Sequence, residues 1–387
     1  MDFELTEEQK MLQQAVRDFV AKECPREYAR KIDEAEEFPT ELFNKMAALG
    51  WHGLSVPVEY GGLGGDTIDT TIVVEELSRA AVAVGITYFL SMTFGAKTLT
   101  AMGNEEQKKE YLTKLARGNL MFCFAITEPA GGTDILGALS TFAALDGDDF
   151  IVNGNKIYTT AAHVSDYIIT VVKTDKNPPK KTLGISILLI PSKSPGVDIR
   201  RVKKLGVKAV GTNEIFFTDV KVPKANLLGK LDKGWYSIVD SLNDERIAIA
   251  ALCLGVAQAA LDDAVNYAKD RKAFGKPIGQ FQSLQHRLAE AAAEIEMARL
   301  MTYKAAWLAS RGKDCAVESA VAKWFAAETL FRTVTTGMRV LGGVGFMMDY
   351  DMQRYFRDSA PFLFAPISNE MCLNFIGEHY LGLPRSY

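Results

Sequence analysis

The residues best equipped for chemistry are gathered in short stretches, the first being Phe122-Cys123-Phe124-Ala125-Ile126-Thr127-Glu128-Pro129-Ala130-Gly131-Gly132-Thr133-Asp134. An apolar, strand-like run breaks at Glu128-Pro129, where proline removes a backbone donor, and Gly131-Gly132 then let the backbone approach a ligand closely. The hydroxyls of Thr127 and Thr133 can serve polar edges or phosphate oxygens, and the N–H groups of the turn form a concavity suited to anions. A strand followed by a glycine-rich turn accounts for the same letters without any ligand. Metal chemistry finds no support: the four histidines, His52, His163, His286 and His379, show no ligand spacing among themselves or with the five cysteines, so no metal is expected.

Taken with three later stretches, this signature resembles the flavin-contacting motif of the acyl-CoA dehydrogenase family. The others are Lys156-Ile157-Tyr158-Thr159-Thr160, Arg271-Lys272-Ala273-Phe274-Gly275 and Leu341-Gly342-Gly343-Val344-Gly345, in the family's order and spread over essentially the whole chain. The resemblance implies an FAD-dependent oxidoreductase acting on acyl-CoA or enoyl-CoA thioesters. It further implies electron exchange with an electron-transferring flavoprotein and assembly as a homotetramer of paired dimers. Matched position by position, Thr127 and Thr160 donate to the isoalloxazine edge, where donors stabilise the negative charge arriving with a hydride. Thr133 falls near the pyrophosphate or the substrate, and Tyr158 stands beside the ring, where the family usually has Trp. Arg271, Phe274 and Gln282 match residues that reach the adenine diphosphate half of a neighbouring subunit's flavin, and a planar guanidinium suits phosphate oxygens. Gly342 and Gly343 add backbone N–H groups there, Arg339 replaces a common Gln, and Ser368 and Glu370 complete the cofactor set. At the substrate, Arg246 matches a pocket arginine, Asn243 is placed for the pantetheine arm, and Tyr88 and Ser91 belong to the pocket floor Tyr88-Phe89-Leu90-Ser91-Met92-Thr93. Threonines paired across a sheet, a helix-end glycine pair and an exposed charged helix start are the purely structural readings of the same residues.

One departure from the family is substantive. Members usually carry Tyr-Glu-Gly-Thr soon after an Arg-Asp pair, and that Glu removes the α-proton. Here Arg357-Asp358 is followed, at the same spacing, by Ala365-Pro366-Ile367-Ser368, so Pro366 occupies the position of the base. A carboxylate and a backbone N–H are lost together. Three explanations stand. Glu245 serves as base, as in isovaleryl-CoA dehydrogenases, which place their Glu just before the same arginine; or the labile proton is a remote one, as in a cyclic unsaturated thioester; or catalysis is lost, as in assembly factors. Against the first, Asp244-Glu245 is also a favourable acidic helix start. The run Pro361-Phe362-Leu363-Phe364-Ala365-Pro366 makes a dry wall suited to a ring or branched acyl group, or simply packs in a core. The enzyme reading is a dehydrogenase of a bulky, optionally alicyclic (cyclohexane- or cyclohexene-carboxyl) thioester, with an enoyl-CoA reductase similar to crotonobetainyl-CoA reductase as its alternative.

The elements that must position these residues follow from periodicity. Residues 1–120 read as helices, with a Thr6–Gln9 capping box, a helix opened at Pro39-Thr40 and ended near Gly50, another at about 67–82, and one capped by Asn104 and Gln107. Over 121–230 the period falls to two, and Asn153-Gly154 within Phe150–Tyr158 predicts a hairpin turn. Strands are expected at Tyr167–Val172, Ile185–Ile190, Val197–Val202 and Glu214–Val222. Over 231–387 long helical patterns return, at roughly 235–270, 280–311, 315–340 and 367–381. The chain is therefore mainly α with a central β domain, and the resemblance makes this a helical N-terminal domain, a β-barrel middle domain and a C-terminal four-helix bundle.

Composition agrees with an enzyme of this size. The 387 residues are 48% hydrophobic and 24% charged, enough for a substantial core. A formal net charge of −4 argues against a nucleic-acid binder. Scattered cysteines point to reduced thiols in a cytoplasm. No apolar run is expected to span a membrane, and Met1-Asp2-Phe3-Glu4-Leu5 has no targeting character, so the mature protein is expected to begin there.

Overall fold

A computed structural model describes residues 4–385, the side chains of 239–241 excepted. The stretch Met1–Phe3, on which the expected start rests, lies outside the described residues. The helical first part begins at Glu7–Glu23, capped reciprocally by Thr6 and Gln9 as expected, and Thr40–Ala48 ends ahead of Gly50, whose φ is +77°. Thr67–Ala80 opens on an Asp66–Asp69 capping box, and Asn104 and Gln107 form another. The helices Arg26–Ala35 and Met352–Ser359 were not among the elements expected from sequence; both are short and rich in charged residues.

Between them, Val82–Phe89 continues without a break through a π-helical stretch, Leu90–Lys97, into Thr98–Met102. The wider turn re-aims the side chains that follow it, and such stretches concentrate at functional sites. Gly95 lies within it and packs against Leu115, whose Cδ1 would stand 2.1 Å from a Cβ at that position.

Eight strands form the central sheet: β1 Phe122–Ala125, β2 Phe142–Asp146, β3 Asp149–Thr160, β4 Tyr167–Lys173, β5 Ile185–Pro191, β6 Val197–Val202, β7 Thr212–Pro223 and β8 Leu227–Leu228. Their order is β6-β7-β3-β2-β4-β5-β8, with β1 paired in parallel to β4. The predicted hairpin at Asn153-Gly154 is absent. β3 runs straight through it, and the turn lies at Gly147-Asp148, where Asp146 pairs Asp149. Gly154 instead sits in a bulge against β7, at φ +143°, where a Cβ would lie 2.6 Å from Thr141 Cα. The glycine thus serves a close approach of two backbone segments rather than a turn.

The helices Gly234–Asp270, Gln282–Ser310, Ala316–Leu341 and Asn369–His379 follow, and Thr67–Ala80 packs into the same core. Alanines dominate the buried faces of the first three, which lets the axes approach closely. Gly255 marks a tight crossing, since a Cβ there would stand 2.2 Å from Glu75 O. Two stretches, Val82–Met102 and Gly234–Asp270, have the length and apolarity of a membrane span. Their apolar windows are 89% and 83% buried inside the protein, so packing accounts for them.

Candidate active site

The ends of β1 and β3 are fastened to each other below the flavin-type motifs. Ile157 N donates to Thr127 O at 2.9 Å. Beneath this, Lys156 Nζ donates to Glu128 Oε1 at 2.8 Å and to Ile126 O at 3.1 Å. Glu128 also accepts from Ser140 N, Ser140 Oγ and Thr141 N. Both side chains are buried. Burial would raise the Glu128 carboxyl, but the Lys156 ammonium and these hydrogen bonds prevail and hold it well below the usual carboxylate range.

That clamp supports a distorted strand end. The register with β7 shifts between Lys156 and Thr159, and Tyr158 takes φ +60° and is 66% exposed. A bulky side chain in the left-handed region is strained, and such strain persists where surrounding bonds over-determine it. Asn213 Nδ2 donates to Thr159 O at 2.9 Å on the other side. Thr127 and Thr160 are left partly exposed on abutting strand ends, while Thr133 is exposed on the adjoining turn.

A second group surrounds Glu245. The pocket there is lined by Thr93, Phe94 and Thr98 from the π-helical region, Phe124 from β1, and Ile238, Leu242 and Glu245 from Gly234–Asp270. Phe94 and Phe124 stack at 5.2 Å between centroids. Burial is the larger influence on the Glu245 carboxyl; although Arg246 and Lys323 oppose it, the group is pushed up to about 7. Asp244, one residue earlier, turns away to Lys97 at 3.5 Å, so the two adjacent carboxylates have separate surroundings.

Arg246 is buried, with its guanidinium 5.2 Å from the centre of the Phe375 ring. It donates to Asn243 Oδ1 at 3.1 Å, and Ser319 Oγ donates to the same oxygen at 3.1 Å. The Nε of Arg246 has no protein partner among the described residues. Tyr88 and Ser91 are fully buried, and neither lines this pocket; their oxygens also lack protein partners. Of the floor read from sequence, the lining includes Thr93. Phe94 and Thr98 were missed because only the π-helical turn, which leaves no mark in periodicity, brings them round.

The remaining expected residues lie apart from these two groups on the C-terminal helices and their connections. Arg271, Phe274, Gln282, Arg339, Gly342, Gly343 and Glu370 are exposed. Phe274 is 96% exposed at φ +50°, and a Cβ on Gly342 or Gly343 would meet nothing within 4 Å. Ser368 caps Asn369–His379 by accepting from Met371 N at 3.2 Å. Pro366 is exposed and is not among the residues lining the Glu245 pocket. The donor set fits a flavin dinucleotide: hydroxyls and an outward ring at one place, an exposed guanidinium and open glycine backbone at another. Among the described residues no group of three or more His, Cys, Asp or Glu side chains could hold a metal ion.

The chain is similar to known proteins over most of its length. Residues 6–119, 123–220 and 232–381 match, in turn, the acyl-CoA dehydrogenase N-terminal, middle and C-terminal domains. A probable acyl-CoA dehydrogenase of Bacillus subtilis, YngJ, is 42% identical over 93% of this chain and 94% of its own. The caffeyl-CoA reductase-Etf complex subunit CarC of Acetobacterium woodii is 36% identical over 92% of this chain and 94% of its own. The butyryl-CoA dehydrogenase structure from Megasphaera elsdenii superposes with a TM-score of 0.94 at 34% identity, covering 98% of this chain and 100% of that one.

Proposed function

The chain belongs to the acyl-CoA dehydrogenase family and is an FAD-dependent CH–CH oxidoreductase, and we propose that Glu245 is the base that exchanges a proton with a bulky acyl-CoA thioester. The observation that carries this reading is the pocket itself. Six uncharged residues and one carboxyl line it, and that carboxyl is poised near neutrality, as a general base requires. Position 366, where the family's base would stand, offers only a proline ring.

FAD, when bound, supplies the hydride acceptor. Thr127 and Thr160 would donate to its polar edge, and the Glu128–Lys156 pair keeps their two strand ends together. Asn243 has its carboxamide oxygen engaged by Arg246 and Ser319, which leaves its NH2 for the pantetheine arm. The Phe94–Phe124 stack gives the pocket a flat apolar wall at the acyl end, and the acyl group proposed is a bulky one of the alicyclic, cyclohexane- or cyclohexene-carboxyl kind. Electron-transferring flavoprotein is the proposed acceptor, since one relative is by name part of a complex with Etf.

The same relative, a reductase, favours a second reading in which Glu245 gives the proton to an enoyl-CoA. A thioester panel assayed in both directions, with ferricenium as acceptor and a reduced dye as donor, separates the two. For either direction, Glu245→Gln should keep FAD and thioester binding while slowing flavin bleaching or reoxidation by ~10²–10⁴-fold in stopped flow. A loss below about tenfold overturns the assignment.

A further inference from the structure

The Ala316–Leu341 helix buries a lysine completely, and among the described residues the partners of its ammonium are neutral oxygens, with no ion pair to a carboxylate. An isolated ammonium in a protein interior is costly, so its surroundings should compensate. Lys323 Nζ donates to Phe362 O at 2.9 Å, to Ile367 O at 2.5 Å and to Asn369 Oδ1 at 2.8 Å. Its three N–H groups are thereby all engaged. One acceptor comes from the turn Ala360–Leu363, one from the connection after it and one from the first residue of Asn369–His379. Asn369 is held in turn, since its Nδ2 donates to Glu328 Oε1 at 2.8 Å.

We propose that Lys323 is a positioning residue: it clamps the Phe362–Asn369 segment, which carries Pro366 and Ser368, onto the helical bundle and places its positive charge near Glu245. The clamp stands on the three hydrogen bonds alone; the effect on Glu245 rests on its proposed role as base. Two carbonyls separated by Leu363–Pro366 are drawn to a single nitrogen, so this short segment is pinned at both ends although its middle is open to solvent. The charge adds a second consequence. The two helices meet one turn before Lys323, where Ser319 Oγ donates to Asn243 Oδ1 at 3.1 Å. The charged groups around Glu245 are Arg246 and Asp244 on its own helix, Lys97 paired with Asp244, and Lys323 from the neighbouring helix, and Lys323 is itself faced by Cys253, Cys372, Glu328 and Glu370. Asp244 and Lys97 offset each other, which leaves Arg246 and Lys323 to favour the carboxylate.

The test uses the full-length, FAD-loaded protein with Lys323→Met, which fills similar volume without donors or charge. Amide exchange over residues 362–371 should quicken by about tenfold or more, while exchange elsewhere in the bundle stays within a few-fold. The pH midpoint of kcat/KM should rise by about half a unit or more, because a charge favouring the Glu245 carboxylate is gone. Unchanged exchange overturns the clamp, and an unchanged midpoint overturns the electrostatic half. If Lys323→Met does not fold, Asn369→Leu removes one acceptor and keeps the charge; it should quicken exchange and leave the midpoint where it was, and failure of the first result overturns the clamp equally. Should Glu245→Gln retain activity, the base assignment fails by that experiment, and the exchange result still decides the clamp.

Discussion

At the scale of the residue, adjacent carboxylates meet different fates. Asp244 faces Lys97 and Thr67, whereas Glu245 faces Phe94, Phe124 and a narrow apolar pocket, and burial raises it to about 7. The sign of its pH dependence reports the direction of the reaction. If the enzyme oxidises an acyl-CoA, Glu245 must be ionised to accept the proton, so kcat/KM rises with pH through a midpoint near 7. If it reduces an enoyl-CoA, Glu245 must be protonated to donate, and kcat/KM falls as pH increases through the same midpoint. A pH profile between about 5 and 9 with the best thioester in each direction measures this. A flat profile in both directions would remove Glu245 from the chemistry. The residue was legible in the sequence because it precedes an arginine that the family also carries. Its acidity was not, because Phe94 and Phe124 come from distant segments and only folding brings them together.

At the scale of the element, periodicity located the long helices and most strands to within a few residues, and the capping boxes at Thr6 and Asn104 marked their helix starts correctly. What failed were local signals whose meaning depends on the neighbouring chain. Asn153-Gly154 is an ordinary hairpin sequence, yet β3 is paired on both sides, to β2 and β7, and those two ladders outweigh a turn preference of a few residues. The π-helical stretch at Leu90–Lys97 was hidden for a similar reason, since its composition does not differ from that of the helix around it. The bulge makes a direct prediction. Gly154→Ala would place a methyl 2.6 Å from Thr141 Cα at a φ of +143°, so the variant should lose on the order of 1–3 kcal/mol of stability. Asn153→Ala, a neighbour that loses only the bonds to Asp219, should cost less than about 1 kcal/mol. Thermal unfolding of both variants decides between a bulge glycine and a turn; equal losses would mean that the close approach to Thr141 is not what requires glycine.

At the scale of the whole molecule, the expected cofactor residues fall on two separate surfaces. Thr127, Tyr158 and Thr160 sit on the sheet, while Arg271, Phe274, Arg339, Gly342 and Gly343 are exposed on the helical bundle. The second set shares that bundle with a broad display of apolar side chains: Met297, Leu300 and Trp307 on Gln282–Ser310, and Phe346, Met347 and Met348 just after the glycine pair. So many large exposed apolar groups argue for a protein partner, and another copy of the chain is the partner proposed, in a homotetramer. In such an assembly each flavin would be held by the sheet of one subunit and the arginine of another, which couples cofactor retention to association. Arg271 makes the coupling testable, because it is exposed and, among the described residues, only its backbone is hydrogen-bonded, to Tyr267 O and from Ile278 N, while no bond or ion pair is seen for its guanidinium, so replacing the side chain should leave the isolated fold intact. Arg271→Ala should therefore lower bound FAD, read from flavin absorbance per chain, and also shift the species seen by light scattering toward smaller assemblies on dilution. Added FAD should reverse both changes together. A variant that keeps one FAD per chain at low protein concentration would show that Arg271 does not hold the diphosphate. One that loses FAD but stays assembled would show that the arginine serves its own subunit and that the apolar surface alone sustains the oligomer.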